Sequence, residues 1–126
     1  MPMTTLPSVR RVSVPTTEKR RAFRILHERG CFVLPNPWDL GSARYLEALG
    51  FEALATTSAG FAFTRGLPDA AVSPDEMLAH IREIVAATRL PVNADVEDGY
   101  GANDEEVARN VRACVDTGVA GLSIED

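Results

Sequence analysis

Four short apolar runs, CFVLP from Cys31, FEALATTS from Phe51, LPVNADV from Leu90 and VAGLSIE from Val119, are separated by longer amphipathic stretches. A strand that is apolar on nearly every residue has no face to give to water, so it is buried on both sides, and helical crossovers supply the cover. The alternation therefore predicts an α/β chain built from parallel β/α units. The stretches between the runs carry helix punctuation. Leu40, Ala43, Leu46 and Leu49 recur at helical spacing before Gly50, and Ser73-Pro74-Asp75-Glu76 reads as a capping box with proline at the first helical position. Met77, Leu78, Ile81, Ile84 and Val85 form the stripe of the helix it opens. Asn103 with Glu106 repeats the cap, Val107, Val111, Cys114 and Val115 form the next stripe, and Gly118 ends it. An earlier helix runs from Thr17 through Phe23, Ile25 and Leu26 to Gly30, while residues 1–15, with Pro2, Pro7 and Pro15 and no sustained period, read as a flexible leader.

Residues 16–126 make one domain, open to two architectures, a doubly wound open sheet or a (β/α)8 barrel, between which local periodicity does not choose. Neither GxGxxG nor a P-loop is present, which counts against a nucleotide-binding or regulatory module on an open sheet. A formal net charge of -5 argues against a nucleic-acid partner, since phosphate neutralisation needs surplus Lys and Arg. The basic residues Arg10-Arg11, Lys19-Arg20-Arg21 and Arg24 cluster without an apolar signal core, and no apolar stretch is long enough for a bilayer, so neither a membrane nor a targeting role is expected. Cys31 and Cys114 lie far apart inside apolar patterns, which suits reduced, buried thiols in a cytoplasmic protein.

The polar residues gather where such folds do chemistry. Asp95 and Glu97 follow the third run, Glu125-Asp126 the fourth, Ser58-Ala59-Gly60 the second and Asn36 the first, all at C-terminal strand ends. Asp95 and Glu97 share a face by strand alternation, and like charges held together need a cation between them. An all-oxygen set of Asp95, Glu97 and Glu125 suits Mg²⁺ or Mn²⁺; paired carboxylates working as general acid and base without a metal are the rival reading. The histidines His27 and His80 fall on helices and read as surface side chains, which leaves zinc without ligands. Gly99 and Gly101 allow a tight turn and leave room beside the ion. Ser58-Ala59-Gly60 reads as a turn presenting backbone N–H groups to an anion. Asp69, beside Pro68, reads from composition as a turn residue.

The ordered motifs PNPWDLGSARYLEALGF, TTSAGFAFTRGLPD, PVNADVEDGYG and GVAGLSIED resemble the isocitrate lyase/phosphoenolpyruvate mutase superfamily, from about Phe23 to Asp126. The resemblance implies the N-terminal half of a (β/α)8 barrel of the TIM type, with residues 16–126 supplying its first four strands. It further implies a Mg²⁺-dependent lyase or phosphonomutase that acts on a small 2-oxo or 2-hydroxy carboxylate through a pyruvate-type enolate, usually as a dimer or tetramer. Glu97 matches the carboxylate that touches the metal, Asp95 and Glu125 hold it largely through water, and Asp69 matches the acidic residue of the PD motif near those waters. Ser58, Ala59 and Gly60 match the segment that grips the substrate carboxylate, with Ser58 and Asp69 the catalytic candidates. Many members carry Asp at the position of Glu97 and Gly at that of Ala59. Four strands are half a barrel, and the loop that carries a Lys-Cys-Gly-His motif in some lyases would come next. Three states follow as expectations: a fragment of a longer enzyme, silent by itself; a half completed by a second chain; or a homo-oligomer in which halves close together.

Overall fold

The computed structural model describes residues 12–126; the leader expected over residues 1–15 lies mostly outside them, and residues 12–15 form no helix or strand. The elements run α1 (Thr16–Leu26), α2 (Leu40–Ala48), β1 (Leu54–Ala55), α3 (Ser58–Thr64), α4 (Pro74–Ala87), β2 (Val92–Asp95), α5 (Asp104–Val115) and β3 (Gly121–Ser123). The strands pair in the order β1-β2-β3, all parallel, with Leu54 opposite Val92, Ala55 opposite Asn93, and Asn93, Ala94 and Asp95 opposite Gly121, Leu122 and Ser123. Helices intervene between successive strands, as parallel pairing requires. None of the described helices is long and apolar enough to cross a membrane.

Strand alternation sorts the side chains into two faces. Leu54, Val92, Ala94 and Val96 point toward the helices and are buried, joining Ala43, Ile84 and Ala87 in one cluster and Met77, Ile81, Cys114 and Val119 in another. The opposite face carries Ala55, Asn93, Asp95, Gly121 and Ser123, and there Asn93 Nδ2 donates to Ser123 Oγ at 2.8 Å. At the N-terminal end of this face Phe23 of α1 lies on Gly121: a Cβ at that position would meet the Phe23 ring at 2.6 Å. Lys19, on the same helix, is buried and donates to the Thr88 and Val85 carbonyls at 2.7 and 3.2 Å, satisfying the end of α4. Burial pulls its pKa down and Glu47 opposes that.

The expected caps form. Ser73 Oγ and Asn103 Oδ1 accept the N–H groups of Glu76 and Glu106, and Pro74 occupies the first turn of α4. The returning carboxylates do not reach the cap residues' own N–H groups: Glu76 accepts from the Ser73 hydroxyl and Glu106 from Ala102 N–H.

Several expectations are corrected. CFVLP is not a strand. Its backbone contributes a single bond to the sheet, Ala55 N–H to the Pro35 carbonyl at 3.0 Å, and Pro35 and Pro37 bring no N–H of their own to a ladder. Val33 and Cys31 are consequently exposed, so of the two thiols expected inside only Cys114 is buried. The Ser58-Ala59-Gly60 segment is not a turn but the first turn of α3, because Thr57 Oγ1 accepts from Gly60 N–H and caps the helix there. His80 is not on the surface: it is 3% exposed and stacks on Phe61 with ring centroids 3.8 Å apart, and burial lowers its pKa against Glu83 and Asp39. The first helix ends at Leu26, with Gly30 beyond it at φ +68°.

Candidate active site

The C-terminal ends of the three strands open onto one cleft of about 480 Å³, lined by Ser58, Ala59, Asp69, Asp95, Glu97 and Glu125 among others. Gly60 is one position further into α3 and does not line the cleft; its N–H is spent on Thr57. Asn36 instead donates to the Ala55 carbonyl at 3.1 Å and acts as a brace on β1.

Asp95 ends β2 and is the most constrained of the acids. Its Oδ2 accepts from both Ser58 N–H (3.0 Å) and Ser58 Oγ (2.7 Å), its Oδ1 from Glu97 N–H (3.2 Å), and its own N–H donates to Thr56 Oγ1 at 2.9 Å. The first turn of α3 is thereby tied to β2, and the hydroxyl expected to grip substrate is engaged with Asp95. Thr56 was not singled out from the sequence, although a threonine pair closing an apolar run is the signal that could have found it.

Glu97 has a left-handed backbone, φ +49°, and its carbonyl accepts from Glu125 N–H at 2.7 Å. One of its carboxylate oxygens is buried without a hydrogen-bond partner. Burial is the main cause that raises its pKa above the ordinary 4.5, followed by the charges of Asp69, Asp95, Asp98 and Glu125. Asp69 is exposed at the edge, its Oδ1 accepting from Ala70 N–H at 2.9 Å. An orphaned carboxylate oxygen amid four other acids is the donor set of a hard divalent cation. Among the described residues no group of three or more His, Cys, Asp or Glu forms a direct metal cage, and an ion held partly through its own waters, as Mg²⁺ commonly is, fits such spacing.

The two glycines of the GYG motif serve a different neighbour from the one expected. A Cβ on Gly101 would lie 2.6 Å from the Val107 backbone nitrogen, and one on Gly99 would lie 2.9 Å from Val107 Cγ1, so both make room for α5 rather than for an ion. Tyr100, between them, is left-handed at φ +56° with a buried, unpartnered hydroxyl, and burial followed by the Glu97 and Asp95 charges pushes its pKa up.

The raised pKa of Glu97 means that the folded chain binds this proton more tightly than the unfolded chain does. The associated stabilisation is fully present below the unfolded value of 4.5 and is lost as pH rises through the folded pKa. Glu97→Gln, which mimics the protonated form, is therefore expected to raise the Tm of the metal-free chain at about pH 7 and to change it little at about pH 4. Calorimetric melts at the two pH values check the sign.

Residues 23–126 match the phosphoenolpyruvate phosphomutase family. A 2-methylisocitrate lyase of Halalkalibacterium halodurans is 31% identical over 119 residues, 91% of this chain and 39% of that protein. Among solved structures, a protein of Burkholderia cenocepacia J2315 provisionally described as a lyase/mutase is 53% identical with a TM-score of 0.86, over 88% of this chain and 40% of that one. The structure of 2,3-dimethylmalate lyase, a PEP mutase/isocitrate lyase superfamily member, is 34% identical with a TM-score of 0.76, over 88% of this chain and 39% of that one. The chain spans about 40% of the length of the relatives it matches. These likenesses decide between the two architectures in favour of the TIM-type barrel, of which the parallel strands and their helices are the N-terminal part. The chain belongs to the phosphoenolpyruvate phosphomutase family, within the PEP mutase/isocitrate lyase superfamily.

Proposed function

We propose that the cleft is the metal-binding and carboxylate-binding wall of a Mg²⁺- or Mn²⁺-dependent lyase or phosphonomutase, acting on a small 2-oxo or 2-hydroxy carboxylate. The reaction makes or breaks a C–C or P–C bond beside a pyruvate-type enolate. The observation that carries this reading is the Glu97 carboxylate, with one buried oxygen unpaired and the charges of Asp69, Asp95, Asp98 and Glu125 acting on it at the strand ends. A bound Mg²⁺ supplies Lewis acidity, worth several kcal/mol of charge stabilisation on an enolate oxygen.

The chain's own residues hold and orient. Glu97 offers its free oxygen to the cation, while Asp95 is kept at one angle by the two Ser58 donors and adds charge beside it. Glu125, just beyond β3, and Asp69, in the segment after α3, line the cleft and would hold the cation's waters. Ser58 aligns Asp95, and the substrate carboxylate sits at the start of α3, where the Ala59 N–H has no carbonyl one turn earlier within the helix. The enzyme works in the cytoplasm as a homo-oligomer or with the complementing part of its barrel.

Titration of Mn²⁺ into the chain by calorimetry tests the reading. One ion is expected to bind, and Asp95→Ala or Glu97→Gln to weaken it at least about tenfold; a wild-type chain that takes up no ion sinks the proposal.

A second reading, a catalytically silent module that associates with itself or with another chain, draws on exposed apolar side chains. Val33, Tyr45 and Phe63 are 64%, 65% and 67% exposed. Size-exclusion chromatography separates the two, since association that ignores Mn²⁺ and every cleft substitution favours the module.

A further inference from the structure

We infer that Asn110, on the second turn of α5, is a positioning residue for the Glu97 carboxylate; this deepens the reading of the cleft as a metal centre and rests on it. The loop from Val96 to Gly101 is costly to hold. Glu97, Gly99 and Tyr100 all have left-handed backbones, at φ +49°, +85° and +56°, and a side-chain-bearing residue there is strained, persisting only where its surroundings over-determine it.

Most of the bonds that shape the loop are made with its immediate flanks and would travel with it. Gly99 N–H donates to the Val96 carbonyl at 2.8 Å, Tyr100 N–H to Asp98 Oδ1 at 2.9 Å, and Glu97 N–H to Asp95 Oδ1 at 3.2 Å. Glu125 N–H reaches the Glu97 carbonyl, but Glu125 itself is an exposed residue beyond the end of β3. Asn110 is different in kind. Its Nδ2 donates to the Gly99 and Tyr100 carbonyls, each at 3.0 Å, from within a 12-residue helix anchored in the core by Cys114. A carboxamide nitrogen carries two hydrogens, one for each carbonyl, which neither a carboxylate nor a hydroxyl supplies.

The glycines complete the device. Gly99 and Gly101 let the loop lie directly on Val107, one helical turn before Asn110, so α5 both supports the loop from below and ties it down. The direction of the Glu97 side chain follows its backbone angle. Release of the Gly99 and Tyr100 carbonyls lets the turn relax toward right-handed angles and swings the carboxylate out of the cleft. Asn110 touches neither ion nor substrate; it acts through the backbone.

The test uses the full chain and Mn²⁺ as the probe. Asn110→Ala and Asn110→Leu are expected to weaken Mn²⁺ binding about 10- to 100-fold, the range for residues that orient a ligand from behind, and to speed amide hydrogen exchange at residues 97–101. Asn110→Gln, which keeps both donors, restores part of the affinity. Leu46→Ala, which loosens the core cluster that holds no residue of the loop, controls for general destabilisation and leaves the affinity unchanged. Undiminished Mn²⁺ binding in Asn110→Ala overturns the inference, as does an equal loss in Leu46→Ala. If the wild-type chain binds no Mn²⁺, the metal reading itself has failed; exchange at 97–101 then decides whether Asn110 holds the loop, and an unchanged rate overturns that too.

Discussion

Asp95→Ala, in the chain together with the rest of its barrel, is expected to lower turnover of oxaloacetate or a 2-methylisocitrate-type acid by about a thousandfold or more, the rate equivalent of the several kcal/mol a catalytic cation supplies. The effect is large because Asp95 has two duties. It contributes negative charge to the cleft, and it collects Ser58 N–H, Ser58 Oγ and Glu97 N–H, which register α3 and the Glu97 loop against β2. Asp95→Asn separates these duties. The amide keeps the volume and one acceptor oxygen but loses the charge, so it should restore much of the thermal stability lost in the alanine variant while leaving turnover low. Turnover of Asp95→Asn within about tenfold of wild type, or turnover that survives EDTA, would count against a metal-dependent role.

Gly101→Ala is expected to be the most destabilising of the single-methyl additions at the chain's turns, at about 3 kcal/mol. The added carbon would lie 2.6 Å from the Val107 backbone nitrogen and 2.9 Å from Glu106 Cβ, so the first turn of α5 must move. Gly50→Ala is the matched comparison. Nothing lies within 4 Å of a Cβ there, and the substitution meets only the strain of φ +91°, about 1–2 kcal/mol. Urea melts of both variants give the difference directly, and a loss in Gly101→Ala no larger than that in Gly50→Ala would count against contact with α5 as what Gly101 protects. A loss of this size is a large share of the 5–15 kcal/mol that holds a typical domain together.

Local chemistry was legible wherever it was decided by neighbours in sequence. The caps at Ser73 and Asn103 and the buried stripe of α4 follow from patterns a few residues long, and the structure has them, whereas the strands read from LPVNADV and VAGLSIE are present but shorter, ending at Asp95 and Ser123. CFVLP was misread because an apolar run signals burial, whereas a strand also needs donors on its partner's side, and Pro35 and Pro37 withhold them. His80 was misread because its burial depends on Phe61, a residue of a different helix, and stacking between elements leaves no periodic trace. The six residues Ser58, Ala59, Asp69, Asp95, Glu97 and Glu125 do share one cleft, as their strand-end positions implied. What no pattern revealed is how the cleft is held: the Ser58–Asp95 pair and the reach of Asn110 to Gly99 and Tyr100 are contacts across 37 and about ten positions, made only once the chain has folded.

The sheet face opposite α4 and α5 bears an amide and a hydroxyl, Asn93 bonded to Ser123, beside the small Ala55 and the Gly121 on which Phe23 of α1 lies. Any segment that closes over this surface meets hydrogen-bonding groups at mid-depth instead of hydrocarbon, and a purely aliphatic complement would strand them at a penalty of about 1–3 kcal/mol apiece. A wall that covers this face would accordingly need polar atoms or enclosed water at that level, its composition there constrained by two side chains of the sheet.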